Sequence, residues 1–150
     1  KRVCDNIIYK FENNENIFKG GMVYGINDNI KNTTDLEINI NKPSEFIEIY
    51  NLINSTLDVY VQKYFKNINL QFQSQNNLKT DFYHLIMRYT KNKGKYMFHH
   101  DFHYNQKENK PRILTYLFYL NTIEEGGETE FIDGTKIKPE TGKLLIFPAT

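Results

Sequence analysis

Only one cysteine, Cys4, occurs in 150 residues, so no internal disulfide framework can staple this chain. That scarcity fits a reducing compartment, and a cytoplasmic location is the expectation. A basic excess is missing too. The formal net charge is +1, and lysine is spread thinly with no polybasic run, which argues against a nucleic-acid partner. No apolar stretch approaches the roughly 20 residues of a spanning helix, so no membrane partner is expected. No signal-peptide pattern opens the chain, which starts on Lys1. What is plentiful is aromatic side chain, 15% of residues, in a chain of a length that fits one domain with a real core. A single domain over residues 1–150 is the expectation.

Val3, Cys4, Ile7, Ile8 and Phe11 recur at helical spacing and predict a short amphipathic helix up to about Asn13. Cys4 then reads as a small buried hydrophobe, since no base pattern accompanies it as it would a nucleophile. Gly20-Gly21 breaks the pattern, and residues 22–25 and 36–40 read as short strands separated by the polar segment 27–35. Pro43 and Ser44 open the longest helix, striped by Phe46, Ile49, Tyr50, Ile53, Leu57, Tyr60, Val61 and Tyr64 for packing on a sheet. Residues 82–90 alternate, with Tyr83, Leu85, Met87 and Tyr89 on one side and His84 opposite, as a core or surface histidine. The apolar run 112–121 is predicted to be a buried, central strand. Turns follow at 124–127, which should form a hairpin into 128–131, at Asp133-Gly134 and at 139–142, before a last buried strand at 143–147. Short strands at regular spacing behind two amphipathic helices predict a mainly β fold with flanking helices, a double-stranded β-helix of the jelly-roll, cupin-like kind.

The chemistry concentrates in residues 96–121, around His99 and Asp101. A strand sends side chains i and i+2 to one face, so this imidazole and carboxylate can close on one ion. One His, one carboxylate and a second His with open positions left over form the facial triad of non-haem iron(II) oxygenases. His100 points away from such an ion. His103 shares the face but lies roughly 13 Å farther along an extended strand, so a zinc site of His99, Asp101 and His103 would require the chain to turn.

The order Tyr89, Tyr96, His99-x-Asp101, Arg112-x-x-Thr115, Tyr119-Leu120-Asn121, Gly126-Gly127-Glu128-Thr129-x-Phe131, Pro139 and Gly142-Lys143-Leu144-Leu145-x-Phe147-Pro148 resembles the prolyl 4-hydroxylase-like branch of the iron(II)/2-oxoglutarate dioxygenases. The resemblance implies the same jelly-roll fold. It also implies iron(II), 2-oxoglutarate and dioxygen as cofactors, with ascorbate as reductant, and oxidative decarboxylation to succinate coupled to hydroxylation of an unactivated C–H bond. On that basis His99 and Asp101 are the catalytic metal ligands, and Tyr89 and Tyr119 line the 2-oxoglutarate pocket. Tyr119 gives its hydroxyl to the distal carboxylate, and Thr115, on the same face, joins it. The substrate is a peptide or a small molecule, with a prolyl residue in a peptide as the best single guess, and the loops 105–110 and 121–125 would set its selectivity.

In this family the second His ligand and the basic residue that pairs with the distal carboxylate come shortly after the Leu-x-Phe-Pro strand. The chain ends at Thr150, so a domain lacking its C-terminal end is expected, with both groups beyond Thr150 and little coupled turnover by residues 1–150 alone. The alternative is a non-catalytic jelly-roll binding module that has lost the complete metal site. Retention of both His99 and Asp101 argues against it.

Overall fold

The computed structural model describes residues 1–22, 24–41, 45–69, 83–106 and 109–150. Val23, the expected helix start at Pro43 and Ser44, the first residue of the alternating run, Phe82, and residues 107–108 of the 105–110 loop lie outside them. Two helices and eleven strands are formed among the described residues, in one sheet of three strands and four of two. The fold is therefore mainly β, and its small sheets are compatible with a β-rich oxygenase fold. By contacts the chain divides into two compact units, one of Lys1–Asn13 with Met97–Thr150 and one of Asn14–Tyr96.

The first unit opens on helix α1, Arg2–Glu12, which buries Cys4, Ile7 and Phe11 at the three- and four-residue spacing that one helical face requires. Val3, expected on the packed face, is exposed.

In the Asn14–Tyr96 unit, β1 (Phe18–Lys19) pairs antiparallel with β3 (Thr34–Asn39), and β3 pairs along its whole length with β4 (Tyr83–Arg88). A second pair joins β2 (Lys31–Asn32) to β5 (Lys95–Tyr96). Helix α2, Ile47–Asn67, lies against β3 and buries Ile49, Tyr50, Leu57 and Phe65. Its expected stripe is corrected at Tyr60, which is exposed, and by Phe65, which takes part in the buried face. His84 is 4% exposed, with its ring 4.8 Å from that of Tyr50. Because α2 covers the His84 side of β4, the Tyr83, Leu85 and Tyr89 side is the exposed one.

Two further expectations are corrected here. Residues 22 and 25 do not belong to a ladder strand, since Met22 and Gly25 bond reciprocally across a turn, N to O at 3.0 Å in each direction. The polar segment 27–35 is not merely a spacer, because it holds β2 and the start of β3. Its side chains explain why: Lys31, 3% exposed, and Asp35, 1% exposed, pair at 2.8 Å, and Lys31 Nζ also donates to Gly21 O at 3.3 Å and lies 5.2 Å from the centre of the Tyr96 ring. Buried charges persist when they are paired in this way.

Between β4 and β5 the chain reverses, with Gly94 N donating to Thr90 O at 2.6 Å. A Cβ at Gly94 would stand 2.7 Å from Thr90 N and from Tyr89 Cα, both backbone atoms with no freedom to yield. Gly94→Ala is therefore expected to destabilise the fold by about 1–3 kcal/mol, the usual cost of forced overpacking. A thermal midpoint within 1 °C of wild type, about the noise of such a melt, would contradict that, since each kcal/mol shifts a domain of this size by roughly 2–4 °C.

In the other unit, β6 (Tyr104–Asn105) pairs with β7 (Lys110–Pro111), and β8 (Leu114–Phe118) pairs antiparallel with β11 (Leu144–Pro148), Leu144 opposite Phe118 and Pro148 opposite Leu114. Bonds from Tyr119 N to Lys143 O at 3.0 Å and from Ala149 N to Ile113 O at 3.0 Å extend this ladder at both ends. The expectation for 112–121 is thereby corrected: the strand is shorter, half-buried throughout, and paired among the described residues only with β11. Strand β9 (Thr129–Glu130) pairs with β10 (Lys136–Ile137) across the Asp133-Gly134 turn, so the expected hairpin at 124–127 does not join β9 to β8. The Phe131 and Phe147 rings meet edge to face at 5.1 Å.

Candidate functional site

His99 and Asp101 lie in the irregular stretch 97–103, between β5 and β6, and not on a hydrogen-bonded strand as expected. Their i, i+2 spacing still brings them together, with His99 Nε2 3.4 Å from Asp101 Oδ1 and both side chains about a third exposed. The remaining atom of each is tied off. His99 Nδ1 lies 2.8 Å from Met97 O, and a carbonyl can only accept, so Nδ1 carries the proton. Thr115 Oγ1 donates to Asp101 Oδ2 at 2.9 Å.

With Nδ1 protonated, Nε2 holds either a second proton or a lone pair directed at an anionic oxygen. A proton there donates to Asp101, and a lone pair there leaves a position for a cation between the two groups. Two donors each about 2.1 Å from a common ion can be 3.4 Å apart. The pair therefore fits a divalent metal, and the Met97 contact selects the tautomer that leaves Nε2 to bind it. Asp101 is held below the ordinary carboxylate range, chiefly by its hydrogen bond with His99, against the opposing effect of burial, and further by the Thr115 hydroxyl and the charges of His99 and Arg112. It is thus ionised at neutral pH, ready to meet a cation. Because its folded-state pKa is depressed, its contribution to stability is present above the unfolded value and fades as the pH falls through the folded one.

Tyr119, at the end of β8, shares a 2.6 Å hydrogen bond with the hydroxyl of Thr129. Tyr89 belongs to the Asn14–Tyr96 unit, one residue past β4, and is exposed. The structure thus brings together His99, Asp101 and Thr115, and pairs Tyr119 with Thr129. His100 and His103 are exposed. Among the described residues no group of three or more His, Cys, Asp or Glu side chains is placed to hold a metal, so the zinc constellation with His103 is not assembled.

Residues 84–150 match the 2OG-Fe(II) oxygenase superfamily. The matched stretch is just under half of the chain and includes His99, Asp101, Thr115 and Tyr119. It supports dioxygenase-type chemistry, for which the superfamily implies iron(II), 2-oxoglutarate and dioxygen. Comparison with curated proteins and with solved structures gave no match. No helix among the described residues is long and apolar enough to cross a membrane.

Three participants receive no role from the sequence alone. Met97 acts through its carbonyl, which every residue possesses. Thr129 and Arg112 stand inside quoted motifs, but only the fold brings the Thr129 hydroxyl to Tyr119 and the Arg112 charge near Asp101.

Proposed function

We propose that this chain is an iron(II)- and 2-oxoglutarate-dependent dioxygenase of the prolyl 4-hydroxylase-like branch, hydroxylating an unactivated C–H bond, with a prolyl residue in a peptide as its substrate. In the balanced reaction, 2-oxoglutarate, dioxygen and R–H give succinate, carbon dioxide and R–OH. The observation that carries this reading is the pair of inward donors, His99 Nε2 and Asp101 Oδ1, each freed by the tethering of its other atom to Met97 O or Thr115 Oγ1. Bound iron would supply the oxygen chemistry, with ascorbate keeping it reduced, and the chain would supply binding and orientation. A second His ligand, which the described residues do not provide, would complete the triad in a jelly-roll barrel formed by one domain.

In this reading Tyr119 directs its hydroxyl to the distal carboxylate of 2-oxoglutarate while Thr129 donates its own proton to the phenolic oxygen, a division that a hydroxyl pair permits. Tyr119→Phe keeps the ring and removes the donor. It is expected to raise the KM for 2-oxoglutarate about ten- to hundredfold, the equivalent of one charge-assisted hydrogen bond of about 1.5–3 kcal/mol. An unchanged KM would return Tyr119 to a purely structural role.

The test of the function is to incubate the full-length protein with iron(II), ascorbate, 2-oxoglutarate and a proline-containing peptide, and to follow succinate and peptide mass. One added oxygen atom on proline, lost when that proline is replaced, is the expected result. Succinate with free amino acids or nucleotides but not peptides would overturn the peptide assignment. No succinate from a folded protein that binds the peptide would favour the binding module.

A further inference from the structure

We infer that Thr115 is a positioning residue, whose hydroxyl fixes the Asp101 carboxylate so that Oδ1 alone is presented with His99 Nε2 to a divalent metal ion. This rests on the iron(II) reading above and assigns Thr115 a partner other than 2-oxoglutarate.

Asp101 stands on an irregular stretch, and nothing in its own backbone pattern fixes its rotamer. Thr115 stands on β8, opposite Phe147 of β11, within a ladder that runs in register along the whole strand. A β-branched side chain on such a strand is stiff about χ1, so its hydroxyl is a fixed point. The bond to Oδ2 at 2.9 Å ties the less ordered ligand to that point. Rotation of the carboxylate about Cβ–Cγ would break this bond and the approach of Oδ1 to His99 together. Met97 O performs the same service for His99, so each ligand has one atom bound by the protein and one presented. Outer-shell partners orient metal ligands in this manner.

The spacing along β8 separates Thr115 from Tyr119. Four residues of strand separate their backbones by about 13 Å, and the Thr115 hydroxyl is turned to Asp101. With Thr115 already spent on Asp101, Tyr119 is the one left for the distal end of a cosubstrate.

The experiment is a cobalt(II) titration of the full-length protein without cosubstrate, followed by visible absorption, which reads both affinity and ligand geometry. Thr115→Val keeps the shape and removes the hydroxyl, and should weaken cobalt(II) binding about 10–100-fold and alter the absorption bands. Thr115→Ser, which restores the hydroxyl, should recover most of both. If Thr115→Val is poorly folded by circular dichroism, Thr115→Ala is titrated in its place with the same expectation. Wild-type cobalt(II) affinity and spectrum in a hydroxyl-free variant, together with a raised KM for 2-oxoglutarate, would overturn the inference and leave the iron reading standing. A wild-type protein that binds no cobalt(II), or a His99→Ala variant that binds it as well as wild type does, would remove the iron reading and this inference with it.

Discussion

His99→Ala and Asp101→Ala are each expected to abolish iron-dependent conversion of 2-oxoglutarate to succinate while leaving the protein folded. The two halves of this expectation have separate causes. On the proposed reading, activity depends on two donors that stand 3.4 Å apart, and loss of either would leave a site that cannot fix an ion's geometry. The loss should exceed the roughly 10–100-fold typical when only an outer-shell partner is removed. Folding, by contrast, owes little to the pair, because both side chains are about a third exposed, and ion pairs so open to water contribute about 0–1 kcal/mol. Succinate release, iron content and a circular dichroism melt should be measured on the same preparations. Release at the wild-type rate by either variant would sink the ligand assignment, even if bound iron fell.

The closeness of His99 and Asp101 was legible because its geometry is local: two residues of extended chain bring the two side chains together with or without a strand ladder. Helix α1 was legible for a similar reason, as Cys4, Ile7 and Phe11 repeat at the helical period. Thr115, fourteen positions from the carboxylate it bonds, could be singled out by type but not given its partner, because no local period encodes a contact between a strand and an irregular stretch. Strands β1 and β2, of two residues each, are too short to show any period. β4 shows a different limit. Its alternation was visible and left His84 as a core or surface residue, and the structure puts His84 in the core beside Tyr50 while Tyr83 and Leu85 face outward. Apolar periodicity identifies that a strand alternates, and the partner helix decides which side is covered.

The buried pair in 27–35 escaped for the converse reason, and it supports the second large expectation: Asp35→Ala should destabilise the protein by about 3–5 kcal/mol. The loss is not that of one hydrogen bond. Lys31 is 3% exposed, and without Asp35 its ammonium would retain, among the described residues, the longer contact with Gly21 O and the Tyr96 ring. Such a cation is left largely uncompensated away from water. Lys31→Met should cost a similar amount by stranding the carboxylate, whose Oδ1 has no hydrogen-bond partner among the described residues. Removing both charges together is a different matter, because an apolar pair of similar volume pays no desolvation, and Lys31→Met with Asp35→Leu should lie close to wild type or above it. Since Lys31 stands opposite Tyr96 in the β2–β5 ladder, the single variants should also loosen β5, which leads directly into the stretch holding His99. Urea unfolding of wild type, Asp35→Leu, Lys31→Met and the double variant forms a complete double-mutant cycle, with Asp35→Ala measured beside it. Single variants within about 1 kcal/mol of wild type, the scale of an exposed pair, would show that water reaches Lys31 and that the ion pair is not buried as described.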